Sequence, residues 1–361
     1  MSNKWMQKLS KLDGAVLESL DPYSTVIQTV SPSLNYCFGK GWGMPLGFSA
    51  ILYGPPGSGK SLITHLLTGG VHHDTDDGIV VRFDTELRAN QLPESDYAKF
   101  GIDKERYMVV ASNNPADIYD QIEKKLATWC EEGMPIKLII IDSINQVQGL
   151  RNMSSDTITN IQPMDVGKVN KEGLKRILGV QRKYGFALVM TSHVSVEMDQ
   201  WEIKRGNKHK MAASTGVQAH AELNLLVERE VSSFREKDLL GNDLVIKNQD
   251  LGEKLELAFK VAFSTKKNSL GTGAGRAGGF TFDYRKGVVN THEEIFNLCK
   301  HKGILERPNN RTWVFGDKQW TGEDNMIIAV RDDPQLQEQL IKKLKELELG
   351  VSDPVVNTEE E

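Results

Sequence analysis

"GPPGSGKS", residues 54–61, decides how this chain is read. It satisfies G-x-x-x-x-G-K-[ST] and stands between an apolar run, "SAILY" at 49–53, and the helical "SLITHLLTG" at 61–69. In that strand–loop–helix setting the pattern has a physical meaning. Glycines let backbone N–H groups turn toward a polyphosphate, the lysine reaches the outer phosphates, and the hydroxyl can ligate Mg²⁺. Gly54, Pro55, Gly57, Ser58, Gly59, Lys60, Ser61 and Leu62 therefore form the predicted cradle for a nucleoside triphosphate, with Lys60 on its outer phosphates and Ser61 on the metal.

Outward from the loop, apolar strand candidates alternate with helical stretches: "GIVVRFD", "RYMVVAS", "KLIIIDS", "FALVMTSH", "LNLLVERE" and "LELAFKVAF". This alternation predicts an α/β fold, a largely parallel sheet with helices on both faces. Asn114 and Pro115 signal a helix start, and Ile118, Ile122, Leu126 and Trp129 are its expected apolar stripe. Three strand ends carry polar groups toward the loop. "LIIIDS" ends in Asp142 and Ser143, placing a carboxylate where it can hold Mg²⁺ through a water. In "RFDTE", after a buried strand, Asp84 and Glu86 point to the same side because strand side chains alternate, and Glu86 could take a proton from a water attacking the γ-phosphate. His193 closes "FALVMTSH" and faces the same edge of the sheet.

Composition limits the alternatives. The chain has 361 residues, 39% apolar and 26% charged, which is ordinary for a globular α/β protein. Cys37, Cys130 and Cys299 form no CxxC pair, so neither a zinc site nor a disulfide framework is expected; they read as buried thiols in a reducing compartment. The apolar runs are far shorter than a membrane span, and the N-terminus lacks a continuous apolar segment, so a cytoplasmic protein without membrane contact is expected. Trp5, Leu9, Leu12, Val16 and Leu20 share a helical face ahead of the β-branched "STVIQTV", either packed on its own domain or reaching a neighbouring subunit. Near residue 291 the texture changes to a small lobe ending in a helix, and "VSDPVVNTEEE" closes the chain as an acidic, disordered tail.

Against a net charge of −5, "EIKRGNKHKMAASTG" at 202–216 packs five Lys, Arg or His into seven residues before a Ser-Thr-Gly helix start. Lys168, Lys171 and Lys175 recur at steps of three and four, a second basic stripe on one helical face.

Jointly these stretches resemble the RecA family of homologous recombinases, and in particular the UvsX-type recombinases of large tailed phages. The resemblance covers nearly the whole chain: "TVIQTVSPSLNYCFGKGWGMPLGFSAILYGPPGSGKS", "FDTE", "IIIDS", "MTSH", "STGVQAHAELNLLVERE" and "IFNLCKHKGIL...TWVFGDKQWTGEDN". It implies a RecA-like ATPase core over residues 31–290, an N-terminal polymerisation arm over 1–30, a small C-terminal α/β lobe over 291–350 and a tail over 351–361. It further implies ATP and Mg²⁺ as ligands, Glu86 as the catalytic glutamate and His193 as the polar sensor of the γ-phosphate. Residues 195–215 correspond to the second DNA-binding loop, with Lys204, Arg205, Lys208 and Lys210 as its charges. The first loop falls near 149–166, with Lys168, Lys171 and Lys175 on the helix after it. Lys266 and Lys267 are candidates for charges donated in trans to a neighbour's ATP, with Arg276 a third, and Pro93 and Tyr97 fall near the adenine-stacking position. The implied partners are single- and double-stranded DNA, further copies of the chain in a helical filament, and single-strand-binding and mediator proteins. Two other readings remain open from sequence: a hexameric helicase motor on the same core, and an ATP-gated coat or mediator without strand exchange.

Overall fold

The computed structural model describes residues 25–87, 93–148, 163–204, 209–230, 245–247 and 254–350. The expected N-terminal helix from Trp5 to Leu20, most of the first loop, and the acidic tail lie outside the described residues. In chain order, β1 (Val26–Ile27), α1 (Pro32–Phe38) and β2 (Met44–Pro45) lead into β3 (Ser49–Tyr53) and α2 (Lys60–Asp74). β4 (Ile79–Asp84), α3 (Glu94–Phe100) and β5 (Tyr107–Ala111) follow. Next comes α4, wound i→i+5 over Ala116–Leu126 and as an α-helix over Ala127–Glu131, then β6 (Ile136–Asp142), α5 (Pro163–Tyr184) and β7 (Ala187–Ser192). A ribbon of β8 (Val194–Val196), α6 (Gln200–Lys204) and β9 (His209–Met211) runs into α7 (Thr215–His220) and β10 (Leu223–Glu230). After the small pair β11 (Val245–Lys247) and β12 (Lys254–Glu256), β13 (Ala258–Asn268), β14 (Ala277–Asp283) and β15 (Gly287–Val289) complete the core. The C-terminal lobe holds α8 (Thr291–His301), β16 (Glu306–Asn309), β17 (Thr312–Phe315), β18 (Lys318–Thr321), α9 (Glu323–Asp332) and α10 (Pro334–Leu349).

The main sheet has nine strands in the order β15-β14-β13-β10-β3-β7-β6-β4-β5. From β10 to β5 every neighbouring pair is parallel, and β13, β14 and β15 add an antiparallel wing. The parallel strands are near-continuous apolar runs because both of their faces are covered. Alternation then sorts each run: Leu138 and Ile140 belong to one continuous core that runs through α1 and α2 to the C-terminal lobe, while Ile139 and Ile141 belong to a second core with α4, α5 and α7. This is the expected RecA-like architecture, a mostly parallel central sheet with a small α/β lobe behind it.

Two local expectations need correction. Ile118, Ile122 and Leu126 are buried as expected, but Trp129 is 42% exposed and Tyr119 takes a place in the core instead. The wider i→i+5 winding advances each residue through a smaller angle than an α-helix, so the stripe read at α-helical spacing drifts and Trp129 turns outward. Among the cysteines, Cys37 and Cys299 are buried, whereas Cys130 is half-buried.

The lobe is tied to the core through a buried carboxylate. Ser31 caps α1, and Glu294 of α8 accepts from Ser31 Oγ at 2.6 Å and from Ser33 N at 3.0 Å. Burial, against these hydrogen bonds, pushes the Glu294 carboxyl from 4.5 up to about 8. Between those two values the folded state holds a proton that the unfolded chain has released, so this contribution is full below about pH 4.5 and is lost as pH rises through about 8. Glu294→Gln keeps an acceptor for Ser31 and Ser33 without the ionisation. It is expected to melt higher than the parent at pH 8.5, with the difference vanishing by pH 5, in thermal melts across that range.

Candidate functional site

The phosphate loop is built as the sequence requires. A Cβ on Gly54 would meet Val227 O of β10 at 1.9 Å, so only glycine lets the loop leave β3 at this point. Gly59 sits at φ 105, in the left-handed region, and presents α2 with no side-chain cap. The first-turn N–H groups of Lys60, Ser61 and Leu62 therefore face the loop, with the positive end of the helix behind them. Lys60 is 8% exposed and its Nζ donates to Gly54 O at 2.9 Å and Pro55 O at 2.8 Å, folding over the loop from inside. Ser58 Oγ is buried without a hydrogen-bond partner. An orphaned hydroxyl, an uncapped helix start and a lysine over left-handed glycines fit a triphosphate.

The metal position fits as well. Ser61 Oγ donates to Asp142 Oδ2 at 3.0 Å, so the loop hydroxyl and the strand-end carboxylate meet as expected, and Thr191 holds Oδ1 from the other side. The same Oδ2 accepts from Arg82 Nη2 at 2.6 Å. Burial works against the Arg82 guanidinium, but Asp142, with Tyr107 and Asp84, more than offsets it and holds its pKa above the ordinary value. Sequence reasoning missed Arg82 and Thr191. A charge inside the apolar "IVVRF" was the available signal for the first.

Glu86 reaches the site by a different route from the one expected. β4 ends at Asp84, so strand alternation does not carry on to Glu86. The turn is aimed by hydrogen bonds instead: Thr85 N donates to Asp142 O at 2.9 Å, Thr85 Oγ1 to Ser143 O at 2.5 Å, and Glu86 N to Asp84 Oδ1 at 3.2 Å. Glu86 Oε1 then accepts from His193 Nε2 at 3.1 Å and from Ser143 Oγ at 3.3 Å. Glu86, Ser143 and His193, from three strand ends, form one cluster.

His193 also faces the other way. Its N–H donates to Asn145 Oδ1 at 2.9 Å, and its carbonyl accepts from Ala212 N at 2.9 Å, which closes the β8–β9 ribbon against the sheet. Within the ribbon Lys210 lies opposite Ser195, and Lys204 and Lys210 are exposed. Arg205 and Lys208 lie outside the described residues. The ribbon also exposes Met198 (90%) and Trp201 (72%), with Lys204 Nζ 5.6 Å from the Trp201 ring centroid. Neither was singled out from sequence, because a lone Met and Trp in a charged stretch carry no period. Ser214 caps α7, accepting from Val217 N, as the Ser-Thr-Gly signal indicated. α5 packs on α7, the Lys171 stem lies against Gly216, and Lys168, Lys171 and Lys175 are all exposed, so the basic stripe adjoins the end of the ribbon. Lys175 has Glu172 at 2.9 Å, which offsets part of its charge.

The three candidates for a charge given to a neighbour separate clearly. Lys267 Nζ donates to the carbonyls of Gln218, Ala219 and Ala221 and caps the end of α7. Arg276 pairs with Glu348 of α10, donates to Tyr36 O at 2.8 Å and lies over the Tyr36 ring. Lys266 is exposed. Of the two residues near the adenine-stacking position, Pro93 precedes α3, and Tyr97 packs edge-on to Tyr107 beneath Lys104. Among the described residues no helix is long and apolar enough to cross a membrane.

A parallel sheet whose strand ends bring a Gly-rich loop, a lysine, a serine–aspartate pair and a glutamate together defines a P-loop core of the RecA-like class. Comparison of the whole sequence points the same way. The chain is 21% identical to the protein RecA of a Picosynechococcus species over 356 residues, 96% of this chain and 92% of the relative. It is 21% identical to the protein RecA of a Nostoc species over 340 residues, 92% of this chain and 84% of the relative. No protein-family model matches the chain. Distant homologues spanning nearly its full length support the RecA family.

Proposed function

We propose that this protein is an ATP-dependent DNA recombinase of the UvsX type, which assembles with Mg²⁺ and ATP as a helical filament on single-stranded DNA and pairs it with a homologous duplex. The observation that carries this reading is His193: its ring is bonded to Glu86 and its carbonyl to the basic ribbon, so one residue joins the phosphate site to the DNA-gripping segment. Bound Mg²⁺ supplies counter-charge to the phosphates. Lys60 and the first turn of α2 bind and orient the triphosphate, Ser61 and Asp142 fix the metal side, and Glu86 accepts the proton of the attacking water. The His193 ring, within reach of Glu86, exchanges that contact for the γ-phosphate, and the ribbon follows its backbone.

DNA is gripped through Lys204, Arg205, Lys208 and Lys210 of the ribbon and through Lys168, Lys171 and Lys175 of α5. These contacts are mainly to phosphates, so binding is salt-sensitive and nearly indifferent to sequence. Global acidity does not oppose this, because DNA responds to charge within a Debye length of roughly 8 to 10 Å. Assembly uses residues 1–30 as an arm, with 31–290 as the core, 291–350 as the lobe and 351–361 as the tail. The open edge strand β5, with Met108 61% and Val109 39% exposed, suits such a contact. The setting is cytoplasmic, with single-strand-binding and mediator proteins as further partners. In a joint-molecule assay with a homologous single strand and supercoiled duplex, ATP-dependent D-loops are expected. Duplex unwinding without joints would favour a helicase, and neither activity a passive coat.

Three smaller predictions arise here. Lys266 is the residue offered in trans: Lys266→Ala leaves stability within about 0.5 kcal/mol yet lowers ATP turnover of the DNA-bound assembly by about 10²-fold or more. Lys267→Ala instead loosens α7 and costs about 1 kcal/mol in urea melts of the free protein. Trp201 is an exposed stacking platform beside Lys204, and Trp201→Ala is expected to weaken single-strand binding about tenfold in fluorescence anisotropy, with the salt slope unchanged.

A further inference from the structure

The middle of β4, a strand covered on both faces, carries a charge among residues that are otherwise apolar up to its last, Asp84. Arg82 stands between buried Val81 and Phe83, in register with Ile140 of β6 and Val109 of β5, and its side chain is only 15% exposed. Burying a guanidinium is costly unless its partners compensate. These partners do so on one side only. Nη2 donates to Asp142 Oδ2 at 2.6 Å and Nη1 approaches His65 Nε2 at 3.4 Å, while Arg82 Nε, His65 Nδ1 and the Tyr107 hydroxyl are buried without a well-formed hydrogen bond. Burial, reinforced by the Arg82 charge, drives the His65 ring down to about 3, so it stays neutral and offers Nε2 as an acceptor. Burial also raises the Tyr107 hydroxyl, which stays protonated. The Tyr107 hydroxyl and Asp84 favour the Arg82 charge at closer and longer range, but neither His65 nor Tyr107 carries a negative charge of its own to set against it. The carboxylate bonded to it is Asp142.

A cluster kept for stability alone would satisfy its polar atoms or be replaced by apolar packing. Here the compensation lies toward the nucleotide, because the oxygen that takes Arg82 also takes Ser61 Oγ at 3.0 Å. Resting on the nucleotide site argued above, we propose that Arg82 is a positioning residue that neutralises Asp142, aims it at Ser61 and thereby weakens and sets the affinity of the site for its divalent cation. With Arg82 in place, Asp142 has a fixed orientation and little net charge to offer, so the nucleotide's own phosphates carry most of the metal's binding.

The test is Mn²⁺ titration, read by electron paramagnetic resonance, of protein with a non-hydrolysable ATP analogue. Arg82→Gln keeps a donor for Asp142 but removes the charge, and is expected to bind Mn²⁺ about five- to tenfold more tightly. His65→Leu and Tyr107→Phe alter the same cluster without changing its charge, and are expected to stay within about twofold of the parent. A folded Arg82→Gln variant with equal or weaker affinity overturns the proposal, as does an equal gain in His65→Leu. Should Arg82→Gln not fold, Arg82→Lys retains the charge and is expected to hold the parent value within about threefold, and a larger change there overturns the proposal equally. Absence of any Mn²⁺–nucleotide binding by the parent removes the nucleotide site itself, and this inference with it.

Discussion

Replacing Lys60 with alanine is expected to abolish measurable ATP turnover, a loss of at least about 10²-fold, and to remove the nucleotide dependence of DNA binding. Lys60 is the buried cation of the phosphate loop, and its Nζ lies on the carbonyls of Gly54 and Pro55, within the curve of the left-handed glycines. A positive charge held there is placed to turn from these carbonyls to the outer phosphates of the proposed nucleotide, which is where electrostatic catalysis gains most. The expected pattern is specific. Nucleotide affinity drops, single-strand binding persists at a level set by the basic residues of the ribbon and the α5 stripe without nucleotide, and triphosphate no longer strengthens it. Fluorescent-nucleotide titration and DNA anisotropy on one preparation measure both, and a circular-dichroism melt checks the fold. Undiminished turnover in Lys60→Ala would mean that the loop is not the nucleotide site.

Glu86→Gln is expected to separate binding from hydrolysis. The amide keeps the length of the side chain and can still bond Ser143 and His193, so nucleotide affinity stays within about threefold. It cannot accept the proton of an attacking water, and turnover falls by about 10²- to 10³-fold. If the γ-phosphate contact of His193 orders the ribbon, its loss on hydrolysis frees the DNA, so this variant should also stay longer on single-stranded DNA, read as a slower off-rate in a chase experiment. A Glu86→Gln variant with parental turnover would assign Glu86 to holding the His193 ring alone.

The phosphate loop, the parallel strands and Asp142 were legible because each is a local pattern: glycine spacing, apolar runs of strand length, and a carboxylate at a strand end. Meeting of Ser61 with Asp142 followed from the topology that those patterns fix. The position of Glu86 was legible, but the reason given for it was not, since the strand stops at Asp84 and long-range bonds from Thr85 to Asp142 and Ser143 aim the turn. Trp129 misled because helical spacing presumes one winding, and α4 uses another. Lys267 and Arg276 could not be told from Lys266 in sequence, as all three are cations in one segment. Only the α7 carbonyls and Glu348 distinguish them. The Arg82 cluster draws on α2, β4, β5 and β6, four stretches whose proximity no local pattern records.

Central to the account is the coupling of a γ-phosphate, through Glu86 and His193, to the basic ribbon. The most direct measurement is the affinity of the protein for a single-stranded oligonucleotide at one fixed salt concentration, with a non-hydrolysable ATP analogue and with ADP, in the parent and in His193→Ala. At least about tenfold tighter binding with the triphosphate is expected in the parent, collapsing to near equality in His193→Ala. Equal affinity with the two nucleotides in the parent, or a full difference retained in His193→Ala, would contradict it.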